Sequence, residues 1–201
     1  MLAVVLAYYW HEPTRIWLNE LAEWKARLGY LFSVTLGMFV GALLPEGLKV
    51  LVFQRGKVRR ENFENFVFGT IFWGFMGASV DTLYRLQTVW FGSAVTFSVL
   101  VKKVAVDQFL YNPLWAAPLS VWAYEWKNLG YTTAGMSGFF TLGFYRAQIL
   151  PVLIATWGVW LVMVTIIYSL PSLLQIPLFG LALTFWVLIM TYIISQKSAS
   201  R

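Results

Sequence analysis

Lys102-Lys103-Val104-Ala105-Val106-Asp107-Gln108-Phe109-Leu110-Tyr111-Asn112-Pro113 is the stretch on which the reading of this chain turns. It sets two cations, an acid and an amide into a chain that is 59% hydrophobic and only 12% charged. Soluble domains carry about twice that charged fraction. A soluble fold of 201 residues cannot cover so much apolar surface. Several apolar runs around the stretch approach the roughly 20 residues that a membrane-spanning helix needs. In or against lipid, each polar group of 102–113 must find a partner or water.

Working outward, residues 96–112 read as one helix. Lys103 and Asp107 sit four residues apart and only about 40° apart around its axis, so they can pair. Lys102 and Gln108 point elsewhere. Pro113 is expected to end or kink the helix. The apolar 114–126 continues beyond it as a second, membrane-embedded part.

Upstream, the first span is 28–53. Ser33, Gly37 and Gly41 recur there every fourth residue. Thr70, Gly74 and Ala78 do the same in a second span, 63–86, with Gly77 on the same side. Small residues at this spacing let helix backbones approach closely in lipid. Asp81 and Arg85 continue the second stripe, with Tyr84 beside them, so a close-packing face ends in an ionic patch. Pro45 is expected to kink or break the first span, and Glu46 and Lys49 follow it. Between the spans, Arg55, Lys57, Arg59 and Arg60 stand against Glu61, which places this loop on the cytoplasmic or matrix side.

At the N-terminus, Trp17, Leu18, Leu21 and Trp24 fall at helical spacing among Glu20, Glu23, Lys25 and Arg27. That pattern reads as an amphipathic helix lying at the membrane interface, or as the exposed helix of a soluble cap. It gives an interfacial segment, 1–27, ahead of a single transmembrane domain, 28–201. Downstream, Gly130, Gly135, Gly138 and Gly143 make 127–145 a loop with a short helix at most. A strongly apolar span, 150–170, is bounded by Pro151 and Pro171. Pro177 opens the last span, 178–195, and Lys197 and Arg201 form a basic tail.

The fold expected is all-α: an integral membrane bundle of four to five transmembrane helices. Five crossings put the 54–62 loop, the Lys127 and Arg146 region and the basic tail on one side, where positive charge belongs.

Enzyme signatures are missing. The chain has no Cys and a single His, His11, which is a poor basis for a metal site. Ser137 lacks the glycine pattern of a nucleophile elbow. Glu46, Asp81, Asp107 and Glu125 are distant in sequence, and each has a cation nearby. No catalysis, metal or cofactor is expected, and the net charge of +6 lies in short clusters unlike a nucleic-acid footprint. The expected partners are the bilayer, small polar or ionic solutes, and a second copy of the chain.

Two readings of Asp81, Tyr84, Arg85, Lys103, Asp107 and Gln108 stay open. They line a polar cavity through which a solute passes, or they pair off and fix helix register. Their near-neutral pairing is unlike the single-sign ring of an ion filter. The first reading makes the chain a pore. The second makes it a structural or assembly protein acting through helix packing.

The order of these features resembles the Mpv-seventeen and twenty-two-kilodalton peroxisomal membrane protein family. Lys103, Asp107, Gln108 and Pro113 fit the family's Lys, Asp-Gln and following Pro. Gly77, Asp81 and Tyr84 fit a second motif, with Ala78 in place of its Pro and Leu83 in place of its aromatic residue. The Trp-rich run 157–171 looks like a third, but lacks the Pro after Trp160 and has Ile167 and Tyr168 where the family has Asn-Phe. Pro45 and Glu46 stand where the family has Gly-Asp. The resemblance covers about 28–197. It implies a multi-pass channel or small-solute passage protein of the mitochondrial inner or peroxisomal membrane, or of the inner or plasma membrane in a bacterium.

Overall fold

The computed structural model describes residues 2–134 and 136–199, with side chains for 3–134 and 136–188. Gly135, Arg201 and the Lys197 side chain therefore lie outside the described residues. The described residues form helices and no strand. The helices are α1 (Leu2–Trp10), α2 (Glu12–Leu28), α3 (Tyr30–Phe53), α4 (Arg60–Phe91), α5 (97–128), α6 (Leu142–Tyr168) and α7 (Ser172–Ala199).

Helices α3, α4 and α6 are each long and apolar enough to cross a membrane. Only 17% of the most apolar window is buried in α3, and the same share in α6. Phe39, Leu43, Leu51, Ile71, Phe75, Ile154 and Val162 all point outward. Apolar surface on this scale calls for a lipid-facing rather than a water-facing exterior.

Helices run through three prolines: Pro45 in α3 and Pro113 in α5, where a kink or a break was expected, and Pro177 in α7, where the last span was expected to start. The last helix thus begins at Ser172 rather than at Pro177. In the first two cases the backbone widens into π-helical hydrogen bonding, at Phe39–Leu43 ahead of Pro45 and at Asp107–Ala116 around Pro113. A wider turn relieves the clash between the proline ring and the preceding turn.

The chain divides into two compact units, one of Met1–Thr88 with Leu170–Arg201 and one of Val89–Ser169. The division places α2 inside the first unit. Leu18 and Ala22 are buried on α2, which packs against α7. Pro13 sits in the first turn of α2, where its missing N–H costs nothing, and Gly29 ends the helix at φ +56.

In the first unit α3 and α4 approach backbone to backbone. A Cβ on Gly77 would stand 2.2 Å from the Ser33 carbonyl oxygen, and one on Gly37 would stand 2.2 Å from that of Trp73. Gly41 receives the Trp73 ring, and Gly180 of α7 receives Leu36. On α4 the closest approach thus runs through Gly77 and Trp73. Gly74 lies one position over and meets the flexible side chain of Met38.

The second unit is built from α5, α6 and the loop between them. Ala117, Ile149 and Leu153 form its buried core, flanked by Val121, Trp122 and Trp157. The Trp122 indole donates to the Phe139 carbonyl at 2.9 Å, which anchors the glycine-rich loop on α5.

Candidate functional site: one polar cluster in each unit

The first cluster centres on Asp81, which is 2% exposed on the buried face of α4. Lys25 of α2 donates to Oδ2, and the Ser33 hydroxyl of α3 donates to the same oxygen at 2.7 Å. Arg85, one turn along α4, donates through Nε to Oδ1 at 3.0 Å. One carboxylate therefore gathers donors from three helices. Lys25 also donates to the Gly29 carbonyl at 2.9 Å, at the break between α2 and α3. Arg85 stacks over the Tyr30 ring with 4.5 Å to its centroid, and Tyr30 and Thr82 hydroxyls meet at 3.1 Å.

Lys25 is the member of this cluster that the sequence pattern hides. Read by charge, it belongs to the polar face of α2. Read by position, it falls seven residues after Leu18 and three after Ala22, on the buried stripe. Burial lowers its pKa below the ordinary lysine value, against the hydrogen bond and charge of Asp81. A buried cation needs such a partner, because removing one member of a buried pair costs about 3–5 kcal/mol.

Tyr84 is buried next to this cluster in sequence, but its ring meets Phe179 of α7 edge-on at 6.5 Å. Glu46 and Lys49 do not close on each other. Glu46 accepts from the Asn62 amide at 2.9 Å, and Lys49 lies 3.5 Å from Glu61, so both tie the end of α3 to the start of α4. Thr70 is half-buried on α4, with a hydroxyl that has no hydrogen-bond partner among the described residues, and Ala78 accepts the Thr82 hydroxyl at its carbonyl.

The second cluster centres on Asp107, where the π-helical part of α5 begins. Tyr168 of α6 donates to Oδ2 at 2.7 Å, and the neighbouring Gln108 amide donates to Oδ1 at 2.7 Å. Lys103 is buried one turn earlier, with its ammonium 6.0 Å from the centroid of the Tyr168 ring. Asn112 continues the buried row. The Gln108 side-chain oxygen is buried and accepts no hydrogen bond from the described residues. Tyr168 is the member of this cluster that the sequence reading missed. It stands 61 positions from Asp107, and its spacing carries no signal of the contact.

Two more α6 side chains repair the backbone of this cluster. In the π register a carbonyl accepts from the N–H five residues on. For Gln108 that residue is Pro113 and for Pro113 it is Pro118, and neither has an N–H. The Trp157 indole donates to the Gln108 carbonyl at 2.9 Å, and the Tyr145 hydroxyl donates to the Pro113 carbonyl at 3.0 Å. Each carbonyl left without its helical partner thus has a side-chain donor.

The clusters differ in what they leave open. Both oxygens of Asp81 are taken by cations and a hydroxyl, which is a closed arrangement. The row from Lys103 to Asn112 carries a buried acceptor with no partner. Among the described residues no three His, Cys, Asp or Glu side chains converge on a metal-sized site. Comparison with family models, curated proteins and solved structures finds no match to this chain.

Proposed function

We propose that this chain is a multi-pass membrane protein that lets a small polar solute pass along the polar row of α5. The observation that carries the reading is the buried set Lys103, Asp107, Gln108 and Asn112, with the unpartnered Gln108 oxygen among them. Ionisable side chains buried in a membrane bundle are costly and mark solute or ion pathways. A π-helical segment at the same place fits, since such bulges concentrate at functional sites. The resemblance to the Mpv-seventeen family, which rests chiefly on Lys103, Asp107, Gln108 and Pro113, points the same way. It also suggests an organelle inner or peroxisomal membrane, or its bacterial counterpart.

In this reading α5 supplies a further crossing. At 1.5 Å per residue it is roughly 48 Å long, which exceeds the hydrocarbon thickness of about 30 Å. With α3, α4, α6 and α7 it makes five spans, and α2 lies at the interface. Lys25, Ser33, Asp81 and Arg85 form a lock that fixes α2, α3 and α4, with Tyr84 packed against α7 beside it.

The experiment is solute flux into liposomes containing the purified protein. Asp107→Asn should lower flux at least about tenfold while the unfolding midpoint in detergent stays within a few degrees. Unchanged flux removes Asp107 from the pathway. A second reading, a structural or assembly protein, draws on the closed Asp81 network and the glycine contacts of α3 and α4. It would be favoured if the wild-type protein passes no solute up to several hundred daltons and co-purifies as a defined oligomer.

A further inference from the structure

Arg85 carries more donors than the lock uses. Its side chain is 49% exposed, whereas the Asp81 side chain beside it is 2% exposed. Asp81 is already served by Lys25 and Ser33, so the cluster of Lys25, Arg85 and Asp81 holds one positive charge in excess. The guanidinium is held on two sides, by Asp81 along its edge and by the Tyr30 ring on its face. A guanidinium has five N–H donors, and two serve Asp81, one of them at 3.5 Å. A fixed, planar, half-exposed fork with unused donors matches the geometry of a phosphate or carboxylate.

The position along α4 selects among anions. Arg60 opens the helix, and Arg85 stands roughly 37 Å further on at 1.5 Å per residue. A hydrocarbon core is about 30 Å thick, so a crossing α4 sets the two cations at opposite headgroup levels. Around the Tyr30 that stacks on Arg85, Leu28 and Leu31 are exposed as well, a mixture of apolar and aromatic side chains suited to that depth.

We propose that Arg85, fixed by Asp81 and Tyr30, binds the phosphate of an anionic phospholipid in the leaflet opposite the 54–62 loop. The site rests on the membrane-spanning reading above and adds to it a specific lipid. Both phosphate oxygens facing the protein accept from the guanidinium, and the acyl chains lie against the outward-facing apolar side chains of α3. The excess charge of the cluster is neutralised by the headgroup.

The test is retention of phosphatidylglycerol against phosphatidylcholine by the detergent-purified full chain, measured by native mass spectrometry. Arg85→Gln should lower the phosphatidylglycerol preference by about fivefold, the effect of one cation at an anionic surface. Arg85→Lys keeps an ammonium for Asp81 but loses the fork, and should retain part of the preference. It is the variant to read if Arg85→Gln lowers the unfolding midpoint. Arg27→Gln removes the same charge from an exposed side chain paired with Glu23 and should change the preference less than twofold. An equal loss in Arg27→Gln and Arg85→Gln overturns the site in favour of diffuse charge. Displacement of the lipid by millimolar inorganic phosphate assigns the site to a free anion and overturns the lipid. A protein that partitions into the aqueous phase defeats the membrane reading, whereas a membrane-bound protein with no lipid preference defeats this site alone.

Discussion

Trp157 and Tyr145 show how single side chains hold a helix that its own sequence interrupts. With Pro113 in place, the Gln108 carbonyl has the Trp157 indole as its donor. Trp157→Phe keeps the ring contact with Phe109 but removes the N–H, leaving a buried carbonyl unpaired at a cost of about 1–3 kcal/mol. Pro113→Ala restores a backbone N–H, so the two changes together should cost less than the sum of each alone. Unfolding of the four proteins of this cycle in detergent measures the coupling, and additive costs would show that the indole does not replace the proline's missing donor. Lys25 presents the converse case, a charge whose place depends on its partner. Its position on the stripe of Leu18 and Ala22 was legible, but charge placed it on the wrong face. Asp81, which lies 56 positions away, supplies the opposite charge that makes that burial tolerable.

At the scale of the element, the small residues of α3 and α4 separate into those that touch backbone and those that touch side chains. Gly77 and Gly37 face carbonyl oxygens, which cannot rotate away, whereas Gly74 faces the end of Met38. Gly77→Ala should therefore destabilise the protein by about 2 kcal/mol or more, because the helices must move apart. Gly47 has nothing within 4 Å of its Cβ position, and Gly47→Ala should be neutral or stabilise by up to about 1 kcal/mol. Equal effects in thermal unfolding would contradict a backbone crossing at Gly77. The four-residue spacing of small residues was readable as a packing face. Which of them meets the partner backbone depends on the angle and register of the crossing. Those depend on both helices together.

At the scale of the whole molecule, the first unit is interrupted in sequence and the second is inserted within it. The sequence offers no linker or shift in composition at 88 or 170, so this division was not legible. Sidedness is carried by charge. In the five-span reading proposed above, Lys57 and Thr132 lie on one face of the membrane and Ser93 on the other. The chain has no Cys, so single substitutions to Cys at these three positions can be labelled one at a time with an impermeant thiol reagent. Labelling of Lys57→Cys and Thr132→Cys from the same face, and of Ser93→Cys from the other, is expected. If Ser93→Cys and Thr132→Cys label together, α5 does not cross.

Composition and periodicity determined the all-helical class, the long apolar helices and the small-residue stripe of α3. These follow from local backbone preference and from the transfer of apolar side chains out of water, which act along the chain. The stretch 102–113 declared its polarity, but not its partners. Tertiary structure alone brought Tyr168 to Asp107, Trp157 to the Gln108 carbonyl, and Lys25 with Ser33 to Asp81. Hydrogen bonds and ion pairs between distant positions depend on where separate helices meet. A buried polar group is stable only where that meeting supplies a partner.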